Sequence, residues 1–276
     1  MSEVRSMIAA ALAEDIGAGD VTSRCLFRQP QVLSGRIVAK ADFVLAGIDV
    51  ARDVFLEVND CIIFRSMRRD GDPVKDGDVL AELTGDVADL LRAERVALNY
   101  LQHLSGIATL TGAFVDKIRG SRAKIVDTRK TIPGMRTLEK YAVRAGGGYN
   151  HRTGLYDGIL IKDNHIAACG GVRNAVSQAK AEAPHTLKVE VEVVNLDQLR
   201  EAIDAGADII MLDNMSLEQM REAVQLVAGR AIVEASGNMS LDRVSDVAFS
   251  GVDIISVGAI TQSAPAVDIS MRLGSK

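Results

Sequence analysis

The feature that most constrains the fold is a series of six short β-branched runs that alternates with helical patterns in the second half of the chain. The runs occupy residues 124–127, 158–162, 188–193, 208–212, 231–235 and 253–257, and helical patterns occupy 171–183, 196–205, 216–228 and 240–249. Strands that alternate with helices predict parallel βαβ units, because a parallel connection has to cross the sheet. Repeated units of this kind predict an α/β barrel or a doubly wound sheet.

The residues before about position 105 follow a different pattern. Short β-rich runs at 35–41, 61–65 and 79–83 are separated by Gly- and Asp-rich turn sequences, and helical patterns cover 4–12, 48–58 and 87–104. This mixture predicts a compact α+β domain. The boundary near residue 105 rests on the change of pattern, because no Pro- or Ser-rich linker separates the two regions.

The composition narrows the classes of partner. A net charge of −5 over 276 residues argues against a protein that coats nucleic acid, so any bound anion must be held by a local cluster of cations. Three cysteines without a CxxC pair fit a reduced cytosol. No apolar run approaches the roughly 18 residues of a membrane span, and the first residues do not resemble a signal peptide. We therefore expect a cytoplasmic protein with neither a nucleic-acid partner nor a membrane partner.

Polar or small residues follow the predicted strands. In α/β barrels the catalytic groups lie at the carboxyl ends of the strands, so these residues are expected to share one rim. They are Asp127 to Lys130 after the first strand, Lys162 to His165 after the second, Asp213 and Asn214 after the fourth, Glu234 to Asn238 at the fifth, and Gly258 and Ala259 after the sixth, while Glu190 and Glu192 lie on one face of the third. Convergence of six strand ends indicates a site more strongly than any single motif does.

The residue types at this rim indicate an anionic ligand and a metal ion. Arg suits planar carboxylates and phosphates, and Lys supplies a point charge. Carboxylates that face a polyanion need a hard cation between them, for which Mg²⁺ is the usual choice. Turns of small residues offer backbone N–H groups to a phosphate. The cations are Arg129, Lys130, Arg144, Arg152 and Lys162 with His151, the carboxylates are Glu192 and Asp213, and the small-residue turns are Ser236-Gly237 and Gly258-Ala259.

Several of these residues also have a purely structural interpretation. Arg144 is expected to be a solvated helix charge, and Asp163 and Asn164 fit the cap of a following helix. His165 fits a supporting role at least as well as catalysis. Glu190 and Glu192 leave open which of the two is buried. His103 and His185 are expected to be ordinary helix or loop residues.

Seven segments of the chain together form a specific family signature. The most specific is DTRKTIPGMRTLEKYAVRAGGGYNHRTGLYDGILIKDNHI at 127–166. The others are EDIGAGDVTS at 14–23, ERVALNYLQHLSGIAT at 94–109, VEVEV at 189–193, DIIMLDNM at 208–215, EASGN at 234–238 and DIISVGAIT at 253–261. With these motifs the sequence resembles the quinolinate phosphoribosyltransferases, and the resemblance covers nearly the whole chain.

This resemblance implies a fold, an assembly and a reaction. The implied fold is an N-terminal α/β sandwich, here residues 1–105 joined by 263–276, followed by an incomplete seven-stranded α/β barrel at 106–262. The implied assembly is a homodimer, or a larger oligomer of dimers, in which the sandwich of one subunit covers the barrel mouth of the other. The implied reaction joins quinolinate to phosphoribosyl pyrophosphate with decarboxylation, and gives nicotinate mononucleotide for NAD biosynthesis.

The resemblance also implies a role for individual residues. Arg95 would reach the quinolinate carboxylates across the subunit interface, and Arg129, His151 and Arg152 would complete that pocket. Lys130 and Lys162 would contact the pyrophosphate and the reacting groups, Glu192 and Asp213 would hold Mg²⁺ and the ribose hydroxyls, and Ser236, Gly237 and Gly258 would bind the 5′-phosphate. One departure is Gln262, where many relatives carry His; Gln does not change charge but still donates hydrogen bonds.

Three alternatives share parts of this pattern. A paralogous family of molybdenum-transport loci has the same fold but departs at the segments that here read Asn150-His151-Arg152 and Lys162 to His165. A non-catalytic barrel that senses a metabolite would keep the phosphate site without needing Glu192 and Asp213. An enzyme that uses nicotinate would need fewer arginines, because nicotinate has one carboxylate.

Overall fold

A computed structural model describes residues 3–274 as two compact units. The first unit contains the described residues up to Leu110, Ile132–Gly147 and the described residues from Ser263 onward. The second, the barrel unit, contains Thr111–Thr131 and Gly148–Gln262. Residues 1, 2, 275 and 276, which the sequence assigns to the ends of the first domain, lie outside the described residues.

The helices and strands of the described residues follow the predicted alternation. The helices are α1 (Glu3–Ile16), α2 (Val21–Leu26), α3 (Ile48–Val58), α4 (Val87–Lys117), α5 (Arg136–Ala145), α6 (Asp163–Ala168), α7 (Val172–Glu182), α8 (Leu196–Asp204), α9 (Leu217–Val227), α10 (Val244–Ala248) and α11 (Ala259–Gln262). The strands are β1 (Val32–Ala39), β2 (Phe43–Val44), β3 (Ile63–Ser66), β4 (Pro73–Val74), β5 (Val79–Asp86), β6 (Lys124–Val126), β7 (Ile159–Ile161), β8 (Val189–Val193), β9 (Ile209–Asp213), β10 (Ile232–Ser236), β11 (Ile254–Ser256) and β12 (Ile269–Leu273).

The first unit contains a four-stranded antiparallel sheet in the order β12-β1-β5-β3. Strand β12 comes from the end of the chain and pairs with β1. Gly35 permits this close pairing, because a Cβ atom there would lie 2.7 Å from Leu273 Cδ2 and 2.9 Å from the carbonyl oxygen of Arg272. The buried side of the unit includes Ile37 of β1 and Phe55 of α3.

The barrel unit contains a six-stranded sheet in the order β6-β11-β10-β9-β8-β7. All five strand pairs are parallel, which confirms the predicted α/β class. The strands are mostly buried, as expected for a parallel sheet covered by helices. Beside β6, a parallel bridge joins Val126 to Tyr149 and adds one further residue to that end of the sheet.

The sheet is strongly curved, as contacts between groups on distant strands show. His151 is tied to the end of β6 by its backbone N–H, which donates to Asp127 Oδ1 at 2.8 Å. Its ring Nε2 lies 3.2 Å from Glu190 Oε2 on β8. In a flat sheet, β6 and β8 would be about 19 Å apart, since four spacings of roughly 4.8 Å separate them. An imidazole side chain is far shorter than this distance, so the six strands form the wall of a barrel.

Register places the carboxylates of three strands on the interior face. Glu192 of β8 pairs with Met211 of β9, which in turn pairs with Glu234 of β10. Glu190 and Asp213 lie two residues from members of this row and therefore share its face. The helices of the described residues include none with the length and apolar character required to cross a membrane.

Candidate functional site at the barrel rim

A lysine and a carboxylate form the first contact of the site. Lys162 directly follows β7, and its Nζ donates to Glu192 Oε2 on the neighbouring strand β8 at 2.8 Å. Lys162 is also the N-cap of α6, where its backbone N–H donates to the His165 Nδ1 at 3.0 Å. His165 is exposed and caps this helix, which agrees with its supporting interpretation.

Lys130 lies against the turn that follows β11. A Cβ atom on Gly258 would come within 3.1 Å of Lys130 Cδ and 3.8 Å of Nζ, so a larger residue there would crowd the lysine. The carbonyl oxygen of Lys130 accepts a hydrogen bond from Thr261 Oγ1 at 2.7 Å. Two predicted site residues from opposite ends of the barrel sequence are thus neighbours.

Asp213 ends β9 within a network of amide side chains. Asn214 Nδ2 donates to Asp213 Oδ2 at 3.1 Å, and Asn238 Nδ2 donates to Asn214 Oδ1 at 3.1 Å. Asn214 and Asn238 have φ angles of 53° and 46°, a left-handed backbone that is uncommon for residues with a side chain. Such backbone strain is frequent at functional sites, where the surroundings hold it in place.

Ser236 and Gly237 lie beside this network. Ser236 pairs in register with Asp213. Gly237 has φ of 95°, and a Cβ atom there would lie 2.2 Å from Asn214 Oδ1. Only glycine fits this turn, which lies where the sequence predicts a phosphate.

Two arginines supply positive charge at the rim. Arg129 is exposed, whereas Arg152 is half-buried and packs on Gly158, to whose carbonyl oxygen its Nη1 donates at 3.0 Å. Burial lowers the pKa of Arg152, and the nearby positive charge of Arg129 lowers it further. Two like charges this close favour a ligand that carries negative charge.

Beneath Arg152 lies a buried group of one histidine and two glutamates. His151 Nε2 lies 3.2 Å from Glu190 Oε2 and 3.7 Å from Glu234 Oε2, while His151 Nδ1 accepts from the backbone N–H of Arg152 at 2.8 Å. Glu190 and Glu234 are 4% and 1% exposed. Burial and the charge of Glu190 raise the pKa of Glu234 to about 8.

Two places in the barrel unit offer metal-ligating atoms. Glu192 and Asp213 provide hard carboxylate oxygens from adjacent strands on one face, and both are partly exposed. This donor set fits Mg²⁺ whose remaining ligands come from substrate oxygens and water. His151, Glu190 and Glu234 also bring one ligand atom each within 4.8 Å of one another, but they lie in the interior.

The remaining predicted residues lie in the first unit or outside these contacts. Arg95 is exposed on α4, and Arg144 is exposed on α5. His103 on α4 is less ordinary than expected, because its Nε2 lies 2.9 Å from Oε1 of the fully buried Glu139. Gln262 ends α11 and is exposed.

The sequence named Glu234 only as part of a strand end, and it did not reveal that Asn214 is a partner of Asp213 or that Asn238 is a partner of Asn214. One signal for Glu234 was available: a lone acid within the apolar run of β10, on the face that alternation turns inward.

The fold and the rim define an α/β-barrel protein whose rim brings together arginine, lysine and carboxylate side chains, a combination that suits anionic ligands. Residues 20–105 match the N-terminal domain of quinolinate phosphoribosyl transferase, and residues 107–272 match its C-terminal domain. The chain therefore belongs to the quinolinate phosphoribosyltransferase family.

Individual relatives agree over nearly the whole length. The chain is 48% identical to a probable nicotinate-nucleotide pyrophosphorylase [carboxylating] of Bacillus subtilis, over 94% of this chain and 89% of the relative. It is 44% identical to the nicotinate-nucleotide pyrophosphorylase [carboxylating] of Mycobacterium leprae, over 98% and 96%. The solved structure of the nicotinate-nucleotide pyrophosphorylase from Francisella tularensis is 42% identical and superposes with a TM-score of 0.95, over 99% and 96% of the two chains.

Proposed function

We propose that the chain transfers the phosphoribosyl group of phosphoribosyl pyrophosphate to quinolinate and decarboxylates the product, giving nicotinate mononucleotide, pyrophosphate and CO₂ for NAD biosynthesis. Family membership and the names of relatives that align end to end support this reaction. The structural observation that carries it is the presence of two arginines at the rim, the exposed Arg129 and the half-buried Arg152, which packs on Gly158; burial and the charge of Arg129 lower the pKa of Arg152.

Quinolinate carries two adjacent carboxylates, and the arginine pair suits such a dianion. A guanidinium binds a planar carboxylate through two parallel hydrogen bonds. Arg129 and Arg152 together offer two such donors, and His151 completes the pocket. Nicotinate has a single carboxylate and would leave part of this positive charge unneutralised, so quinolinate is the better substrate.

Phosphoribosyl pyrophosphate occupies the remainder of the rim in this proposal. Lys130 and Lys162 neutralise the pyrophosphate, whereas Glu192 and Asp213 hold Mg²⁺ and orient the ribose hydroxyls. Bound Mg²⁺ would stabilise the negative charge that develops on the leaving pyrophosphate. The 5′-phosphate is held in the small-residue turns by Ser236, Gly237 and Gly258.

The chemistry requires positioning and electrostatic stabilisation more than covalent participation. The ring nitrogen of quinolinate forms a bond to C1 of the ribose while the bond from C1 to pyrophosphate breaks. The ring is then a pyridinium, which accepts electron density when the bond from C2 to its carboxylate breaks and CO₂ leaves. The carbon takes up a proton. Lys162 stabilises the negative charge that passes through this state.

The assembly we propose is a cytoplasmic homodimer, or an oligomer of such dimers, with shared sites. Arg95 of the partner subunit would then reach the quinolinate carboxylates. A subunit with Arg95→Ala mixed with one carrying Arg129→Ala should regain activity, because one site of each heterodimer keeps both arginines. Heterodimers that form without regaining activity would contradict the shared site.

A turnover assay tests the proposed reaction. The protein is incubated with phosphoribosyl pyrophosphate, Mg²⁺ and either quinolinate or nicotinate, and nicotinate mononucleotide is measured by mass spectrometry. We expect product from quinolinate alone, abolished by EDTA. Folded protein that yields no product from either acid would favour the metabolite-binding or molybdenum-locus alternatives, and product from nicotinate would favour a nicotinate-using enzyme.

A further inference from the structure

Both ring nitrogens of His151 are engaged within the barrel. Nδ1 accepts a hydrogen bond from the backbone N–H of Arg152 at 2.8 Å, so Nδ1 carries no proton. The ring proton is therefore on Nε2, which faces Glu190 Oε2 at 3.2 Å and Glu234 Oε2 at 3.7 Å. His151 is neutral in this arrangement, and its polar atoms point at its own chain.

The two carboxyl groups beneath the ring are not independently satisfied. Oε1 of Glu190 and Oε1 of Glu234 are buried, and neither has a hydrogen-bond donor among the described residues. One carboxylate oxygen of Glu190 and one of Glu234 lie within 4.8 Å of each other. Ionised carboxylates only accept hydrogen bonds, so burial without a donor favours the neutral form of Glu234, the more deeply buried of the two side chains.

We propose that Glu190 and Glu234 are positioning residues that fix the His151 ring and, through it, the backbone of the arginine that binds substrate. The carboxyl pair selects the Nε2–H tautomer, and this tautomer leaves Nδ1 to accept from Arg152. The inference rests on the proposed function, and assigns His151 to the support of Arg152 within the quinolinate pocket.

Two further contacts restrict the position of Arg152. Asp127, which is fully buried, accepts from the backbone N–H of the preceding His151 at 2.8 Å and from Asn150 Nδ2 at 2.6 Å. The Arg152 side chain rests on Gly158, where an added Cβ would lie 3.1 Å from Arg152 Cβ. A bidentate hydrogen bond to a carboxylate depends on the direction of the guanidinium plane. A rotated backbone at Arg152 would therefore weaken the binding of quinolinate more than the binding of phosphoribosyl pyrophosphate.

Kinetics of Glu234 variants test the positioning role. Glu234→Ala should raise the KM for quinolinate by about tenfold while the KM for phosphoribosyl pyrophosphate stays within about twofold. Glu234→Gln should restore both to within about twofold of wild type, because an amide replaces the neutral carboxyl in shape and as a donor. The matched control is Asp208→Asn, just before β9 and at the end of that strand opposite Asp213, where Asp208 accepts from Val189 N–H; it should lower stability without changing either KM.

Nitrogen NMR reports the tautomer of the His151 ring, which a purely structural role of Glu234 would leave unchanged. The chain has 4 histidines, so His151 can be assigned by its loss in His151→Gln. We expect the Nε2–H tautomer in wild type and in Glu234→Gln, and a mixture of tautomers in Glu234→Ala. This readout applies to the wild type even if the alanine variant fails to fold.

Each contrary result overturns the inference. An unchanged quinolinate KM in Glu234→Ala, an equal change for both substrates, or an Nδ1–H or doubly protonated His151 in wild type would contradict it. One equivalent of bound metal that is lost in Glu234→Ala would instead make the cluster a metal site. A wild-type protein without turnover would refute the proposed function and the inference together, whereas active wild type with unaffected variants would refute only the inference.

Discussion

Replacing Arg152 with alanine should reduce kcat/KM for quinolinate far more than it reduces the stability of the fold. The guanidinium has five N–H donors, and its Nη1 donates to the carbonyl oxygen of Gly158 at 3.0 Å. Loss of that hydrogen bond is worth about 1 kcal/mol, which lowers Tm by about 2–4 °C in a protein of this size. Loss of a bidentate contact to a carboxylate is worth about 2–5 kcal/mol. We therefore expect kcat/KM for quinolinate to fall by about 30- to 5,000-fold.

The assay is steady-state kinetics with saturating phosphoribosyl pyrophosphate and Mg²⁺, together with thermal unfolding of the same preparation. Arg152→Lys is the control, because it keeps the charge without the planar fork. It should recover only part of the lost kcat/KM. If Arg152→Ala stays folded and retains wild-type kcat/KM for quinolinate, the placement of Arg152 in the carboxylate pocket is refuted.

Three further predictions follow from particular contacts. Gly237→Ala should reduce activity strongly, because its Cβ would lie 2.2 Å from Asn214 Oδ1; kinetics with varied phosphoribosyl pyrophosphate would show it, and an unchanged KM would contradict it. Lys162→Ala should lower kcat by about 100-fold, since Lys162 contacts Glu192 and, in the proposed mechanism, stabilises the reacting groups; single-turnover rates measure this, and a wild-type rate would exclude the role. The pKa of Glu234 is raised from 4.5 to about 8, so the folded state holds a proton that the unfolded state releases. Stability should therefore fall as pH rises from 4.5 through 8, and a Tm profile equally steep in Glu234→Gln would contradict this assignment.

The sequence pattern predicted the barrel strands well because their residues respond to a local rule. A parallel strand buried on both faces is a short apolar run between polar ends, and the runs at 188–193 and 208–212 correspond to Val189–Val193 and Ile209–Asp213. Helix α4 was predicted over 87–104 but continues to Lys117. Gly106 lies inside the helix, and glycine is required there because a Cβ atom would come 2.2 Å from the carbonyl oxygen of Pro265. Only the folded chain reveals that contact.

The site was less accessible to sequence reasoning, because its contacts join residues far apart in the chain. Rim residues could be proposed from their positions after strands, but the partner of each side chain depends on strand order and on the curl of the sheet. The contact between His151 and Glu234 joins residues that are 83 positions apart in the chain. Alternation places Glu190 and Glu192 on one face, whereas their different burial follows from depth within the barrel, with Glu190 the deeper.

The most direct test of the central claim uses quinolinate labelled with ¹³C in the 2-carboxylate. Labelled substrate, phosphoribosyl pyrophosphate and Mg²⁺ are incubated with the protein, and labelled CO₂ is measured against nicotinate mononucleotide. We predict equal amounts of the two products, with no label left in the nucleotide, and neither product without phosphoribosyl pyrophosphate. Accumulation of a labelled mononucleotide without CO₂, or release of CO₂ without phosphoribosyl transfer, would contradict the account.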